Sequence, residues 1–187
     1  LCIAFSGCNT YAKWRFGMQT KHMPDTRLSY LKKVNKKKFF SDSCFYSLPA
    51  KKMESFFRKE IIPDSQYVFL GYYISDSSKV STSPFLMLNQ SCKGRLEKEV
   101  EQILSKGYEA SQIQKENSLL SYNLERVVDK QNLNPSIFDN PVLIFLCTYR
   151  TGTYYYDMWK YMKKSMDQSN KKVSVLVICI DPVFKLK

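Results

Sequence analysis

Six cysteines and a single histidine are the side chains with the most chemistry to offer in this chain. Thiol–disulfide exchange needs a thiolate, its pKa lowered at a helix start, and a second thiol to resolve the mixed disulfide. The cysteines stand at positions 2, 8, 44, 92, 147 and 179, so no Cys-x-x-Cys pair exists. His22 lacks the cysteine and carboxylate set that a zinc site needs and reads as a surface residue. Cys147 and Cys179 fall inside apolar strand patterns, where a free cysteine packs as a small hydrophobe. Cys44 and Cys92 lie in more polar stretches and are the candidate disulfide if the chain meets an oxidising compartment. Glu97, Glu99 and Glu101 read as a solvated helix face rather than an acid–base set. One polar cluster remains, Arg150-Thr151-Gly152-Thr153-Tyr154, directly after an apolar run. At a helix start, free backbone N–H groups and the helix dipole attract anions, so these five residues are the candidate binding site. The competing reading is a capped turn, because the longer glycine and lysine pattern of a phosphate loop is missing. No catalytic constellation, metal site or cofactor signature is read.

The elements that must position this cluster are legible around it. Val142 to Cys147 and Val173 to Ile180 are nearly continuous apolar runs, as strands buried on both faces require. Between them Tyr155, Met158, Trp159, Met162 and Met166 follow helical spacing, with Thr151 or Thr153 as cap. Strand, turn, helix and strand make one βαβ unit. Upstream, Asp25 is the expected N-cap of a helix carrying Leu28, Leu31 and Val34. A strand is expected over roughly Cys44 to Leu48, and a helix from Pro49 to about Ile61. Tyr67 to Ile74 and Phe85 to Leu88 should pair as an antiparallel hairpin with a long loop. Helices are expected from Ser91 or Cys92 to Gly107, and from about Ser111 to Lys130 with Leu119, Leu120, Leu124, Val127 and Val128 on one face.

With 187 residues and 44% hydrophobic composition, one packed domain is expected. Lys and Arg outnumber Asp and Glu 29 to 17, a formal net charge of +12 that favours anionic partners. Lys32, Lys33, Lys36, Lys37 and Lys38 concentrate that charge, and are the candidate contact to anionic lipid. The front of the chain, an apolar run from Leu1 to Phe5 followed by Ser6-Gly7-Cys8, resembles a bacterial lipoprotein signal with Cys8 as the lipidated residue. The alternative there is an apolar N-terminal strand. Nothing else in the sequence approaches the roughly 20 apolar residues of a membrane-spanning helix.

The segment from Asn140 to Asp181 resembles the central βαβ unit of thioredoxin-like proteins. Laid over that pattern, Thr151, Gly152, Thr153 and Tyr154 occupy the four positions of the redox motif, and neither cysteine is present. The resemblance implies an α/β fold of three-layer α/β/α type, a thioredoxin-like βαβ with added N-terminal strands and helices. Residues 1–8 are then a lipoprotein signal remnant, 9–24 a tether, and 25–187 a single thioredoxin-like domain. The expected function is a non-catalytic, lipid-anchored cell-envelope protein facing the periplasm or exterior, similar to lipoproteins of Gram-negative bacteria. Its expected partners are the membrane, through Cys8 and the lysine run, and another envelope protein. A thiol–disulfide oxidoreductase using cysteines outside a Cys-x-x-Cys motif is the first alternative. A soluble basic nucleic-acid-binding protein is the second, which an envelope location excludes.

Overall fold

The longest apolar runs of the chain form the centre of its sheet. A computed structural model describes residues 24–56, 71–75, 86–87, 119–140, 142–151, 154–168 and 172–183. The strands are β1 (Phe45–Ser47), β2 (Gly71–Ser75), β3 (Leu86–Met87), β4 (Glu125–Arg126), β5 (Val142–Cys147) and β6 (Ser174–Cys179). Their order across the sheet is β3-β2-β5-β6-β1-β4. β5, β6 and β1 run parallel, while β2 pairs antiparallel with β5, β3 with β2, and β4 with β1. The helices are α1 (Arg27–Val34), α2 (Ala50–Phe56) and α3 (Tyr154–Gln168). α3 joins the neighbouring parallel strands β5 and β6, so the βαβ unit expected from the sequence is present, and the fold is α/β.

Alternation along the strands divides the core in two. On one face Leu143, Phe145 and Cys147 of β5 and Val177 and Cys179 of β6 pack with Tyr30, Leu31 and Val34 of α1 and Tyr156, Trp159 and Met162 of α3. On the other face Val142, Ile144 and Leu146 and Leu176 and Ile178 pack with Phe56 of α2 and with Leu119, Tyr122, Leu124 and Phe138. Both faces of the central strands are covered, which is why those strands lack polar alternation. Trp159 is the largest fully buried side chain, and its ring meets those of Phe40, Phe45, Phe145 and Tyr156 at 5.6–6.3 Å. Burial of one such ring contributes roughly 4–6 kcal/mol by area.

Two local expectations need correction. Thr26, not Asp25, caps α1: its hydroxyl accepts from the Ser29 N–H at 3.2 Å, and the Ser29 hydroxyl accepts from the Thr26 N–H at 3.2 Å. That reciprocal box starts the helix one residue later and turns Tyr30 inward, leaving Leu28 60% exposed. The helix expected to run to Lys130 is not one beyond residue 118. Leu119–Tyr122 form a single 3-10 turn, Asn123 takes a left-handed φ of 52°, and Glu125–Arg126 add to the sheet edge as β4. The apolar residues read as one stripe therefore separate, Leu124 to one core, Val127 to the other, and Val128 to solvent. In α3 the buried set includes Trp159 and Met162, as expected, and adds Tyr156.

The hairpin of β2 and β3 pairs antiparallel as expected. The signal remnant, Cys8, the tether to residue 23, His22, the continuation of α2 past Phe56, Cys92 and the helix expected up to Gly107 lie outside the described residues.

Candidate functional site

Parallel strands present their C-terminal ends together, and in open α/β sheets ligand-binding chemistry gathers at that edge. Here β5 ends in Cys147-Thr148-Tyr149-Arg150 and β6 in Cys179-Ile180-Asp181, with α1 docked across them. The Asp181 carboxylate is buried, and three donors converge on it. The Tyr30 hydroxyl donates to Oδ2 at 2.6 Å, the Tyr149 N–H to Oδ2 at 2.9 Å, and the Thr148 hydroxyl to Oδ1 at 2.7 Å. Thr148 Oγ1 in turn accepts from the Arg150 N–H at 3.2 Å. One carboxylate thereby determines the path of the loop leaving β5 and ties it to α1. The loop continues as a 3-10 turn, Tyr149–Thr151, and α3 opens at Tyr154.

Beneath this network lies a row of cross-strand neighbours, Glu125, Ser47, Cys179 and Cys147, paired in register over four strands. The two thiols are fully buried with their Sγ atoms 3.6 Å apart. Burial pushes the Cys147 thiol well up, and its contact with Cys179 adds to this; the Tyr30 hydroxyl opposes it without reversing it. Burial likewise raises the Tyr30 phenol well above its ordinary value, helped by Cys179, Cys147 and Asp181. Tyr30 is therefore a donor, not a phenolate. At the far end of the row the buried Arg27 guanidinium reaches Glu125 at 3.4 Å through Nη2, while its Nε and Nη1 have no hydrogen-bond partner among the described residues.

The outer surface of the same edge is basic. Lys33 Nζ lies over the Tyr149 ring at 5.8 Å and the Arg150 guanidinium at 5.9 Å, both within cation–π range. The Tyr156 hydroxyl donates to the Lys33 carbonyl at 3.1 Å, fastening the end of α1 to the first turns of α3. Lys32, Lys36, Lys37 and Lys38 are also exposed. The turn that carries the last of them is built on buried Asn35, which donates to the Phe40 carbonyl at 2.8 Å and to Asp42 at 2.9 Å. Lys38, at a left-handed φ of 51°, pairs with Asp42 at 2.6 Å. Burial would raise the Asp42 carboxyl, but its bonds to Lys38 and Asn35 hold it below its ordinary value.

Of the expected site residues, Arg150 is exposed and shares the Tyr149 ring with Lys33 of the lysine run, two features that the sequence left far apart. Thr151 closes the 3-10 turn and Tyr154 begins α3; Gly152 and Thr153 lie outside the described residues. Cys44 carries a free, partly buried thiol, and burial raises its pKa despite bonds from Ser41 and Ser43. Among the described residues no group of three or more His, Cys, Asp or Glu side chains is arranged to hold a metal ion, and no helix is long and apolar enough to cross a membrane. Sequence reasoning did not single out Asp181, Tyr30 or Thr148 as partners. The available signal was a polar residue just past the end of each central strand. Compared with known proteins, the chain matches no family model, no curated protein and no solved structure.

Proposed function

We propose that the chain is a non-catalytic interaction module on a thioredoxin-like scaffold, tethered to the cell envelope through a lipid on Cys8. In this reading it docks onto anionic headgroups with the basic face around Tyr149. The observation that carries the docking face is the meeting of Lys33 and Arg150 at one ring, which brings a lysine of α1 and the arginine of the β5–α3 loop onto one surface. Each cation near an anionic surface contributes about 1 kcal/mol, and a single acyl chain binds only marginally, so the two contributions complement each other. The scaffold is supported by the parallel β5–α3–β6 unit. The family pattern puts an antiparallel hairpin after that unit, whereas here the antiparallel pair β2 and β3 lies beside β5 and comes from earlier in the chain. The likeness is therefore one of arrangement. The thiols do not suit redox catalysis: burial raises Cys44 and Cys147, the reverse of what exchange requires.

Co-sedimentation of the purified chain with phosphatidylglycerol vesicles, against phosphatidylcholine vesicles, tests the docking face. Binding is expected on the anionic vesicles alone and should weaken with salt. The double variant Lys33→Glu/Arg150→Glu should lose about tenfold or more in affinity. Equal binding to both vesicles, or an unaffected variant, refutes the docking face. Turnover in an insulin-reduction assay that disappears on Cys→Ser substitution would replace the whole reading with a thiol–disulfide oxidoreductase. Incorporation of labelled palmitate that Cys8→Ser abolishes tests the anchor separately.

A further inference from the structure

We propose that Cys147 and Cys179 are a disulfide-forming pair, a covalent staple between the two central parallel strands at the base of the basic loop. Three observations and the general spacing of strands converge on it. The two residues are direct register partners, so their side chains project from the same face of the sheet. Neighbouring strands lie about 4.8 Å apart, inside the Cα separation of roughly 4.4–6.8 Å that a disulfide bridges. The Sγ atoms already lie 3.6 Å apart, and closing to a bonded distance needs side-chain rotation, not strand movement. Finally, the Ile180 N–H donates to the Cys147 carbonyl at 2.9 Å, fastening the strand ends at the bridge position.

The reaction requires a disulfide oxidant, either a small-molecule disulfide or the active disulfide of a dithiol oxidase. The Cys147 thiol loses its proton and its sulfur attacks the oxidant, breaking the oxidant's S–S bond and releasing one thiolate. A mixed disulfide on Cys147 results. Cys179 then loses its proton and attacks Cys147 Sγ, releasing the oxidant's second thiolate. The protein gives up two protons and two electrons, and the oxidant leaves as two thiols. Both sulfurs are inaccessible in the folded chain, and burial disfavours the Cys147 thiolate. Oxidation therefore belongs to folding, before α1 and α3 seal that face of the sheet. Once formed, the bond would hold Thr148 and Asp181, each next to or two residues beyond a bridging cysteine, in the alignment the loop depends on. Occupancy in the cell rests on the envelope reading, since a reducing compartment would keep the thiols free. The chemistry does not, and the test below supplies its own oxidant.

The full chain is refolded with oxidised and reduced glutathione, unfolded, alkylated and mapped by peptide mass spectrometry. The expected product is lighter than the reduced chain by two hydrogens for this bridge, with Cys147 and Cys179 recovered in one cross-linked peptide pair. Reducing it should lower the urea midpoint by about 1.9 M, from the loop that the bond closes. Oxidant added after folding should act far more slowly than oxidant present during it. Recovery of Cys147 and Cys179 as separate alkylated peptides after oxidative refolding overturns the proposal, as does pairing of either one with a different cysteine. No variant is needed, so failure of a mutant to fold cannot obscure the result.

Discussion

Removing the Tyr30 hydroxyl probes the arrangement around Asp181 most directly. Tyr30→Phe deletes the 2.6 Å bond and leaves the donors Thr148 and Tyr149 N–H on the carboxylate. A hydrogen bond to an ionised acceptor contributes about 1.5–3 kcal/mol, so a loss near 2 kcal/mol is expected. Asp181→Ala is more severe, because it removes the carboxylate acceptor of three buried donors, at about 1–3 kcal/mol for each bond lost. Rotation of the Thr148 hydroxyl relieves part of this, which brings the expected cost to about 4 kcal/mol. Against a usual stability of about 5–15 kcal/mol, the alanine variant should fold but stand near its limit. The two substitutions share one bond, so their effects should fall short of additivity by about 1–2 kcal/mol. Urea unfolding followed by fluorescence measures all three values in a Trp14→Phe background, where buried Trp159 is the sole tryptophan reporter of the two in the chain. With a slope of about 2 kcal/mol per molar urea, Tyr30→Phe should lower the midpoint by about 1 M. A shift under about 0.3 M, or full additivity with Asp181→Ala, would show that the short contact carries no coupling energy and would refute the network.

Stability should also fall in alkali. Burial, joined by Cys179, Cys147 and Asp181, raises Tyr30 above 10.0, and burial, joined by the Cys179 contact, raises Cys147 above 9.0. Both groups stay neutral in the folded chain while the unfolded chain ionises. Their contribution is complete below pH 9.0 and is lost progressively above it, by about 1.4 kcal/mol per pH unit for each ionising group. Urea midpoints of the reduced protein from pH 8 to 11 should show this slope, and Tyr30→Phe should reduce it above pH 10.0. Arg27→Met should leave stability unchanged or raise it by about 1 kcal/mol by denaturation, because two guanidinium nitrogens are buried without partners among the described residues and Glu125 can turn to water. A loss above about 2 kcal/mol would mean that Arg27 has a partner whose bond outweighs its burial. Trp159→Ala should cost about 3–5 kcal/mol in the same assay, since four aromatic rings close around it.

The βαβ unit was legible because its strands are buried on both faces, and long apolar runs need no tertiary information to interpret. Residues 119–130 were not. Their apolar spacing suits a helix, and the decisive facts are a left-handed Asn123 and an unfilled edge beside β1 that takes up Glu125 and Arg126. Periodicity reports which residues are buried, not how many cores they serve, so Leu124 and Val127 looked like one stripe although they face opposite sides of the sheet. The candidate loop was found through Arg150 and the helix start, yet its organiser, Asp181, comes thirty-one positions later and was visible only as a strand terminator. Hydrogen bonds between the ends of parallel strands join residues separated by a whole crossover helix, a distance over which local pattern carries no signal.

That arrangement also separates two roles that the loop seemed to combine. A reactive site at the end of parallel strands needs a polar group left available to a ligand. Asp181 instead spends its oxygens on Tyr30, Thr148 and Tyr149, and Thr148 passes the constraint on to Arg150. The inner layer is thus closed, and its consequence appears outside, where Arg150 and Lys33 are held against Tyr149. The surface charge is accordingly coupled to the buried carboxylate. Asp181→Asn, which keeps the shape but removes the negative charge and obliges the Thr148 hydroxyl to turn from donor to acceptor, should weaken the proposed vesicle binding although it removes no surface cation. A binding loss at a urea concentration where the variant remains fully folded would distinguish this coupling from simple unfolding; unchanged affinity under that condition would sever the inner network from the outer face.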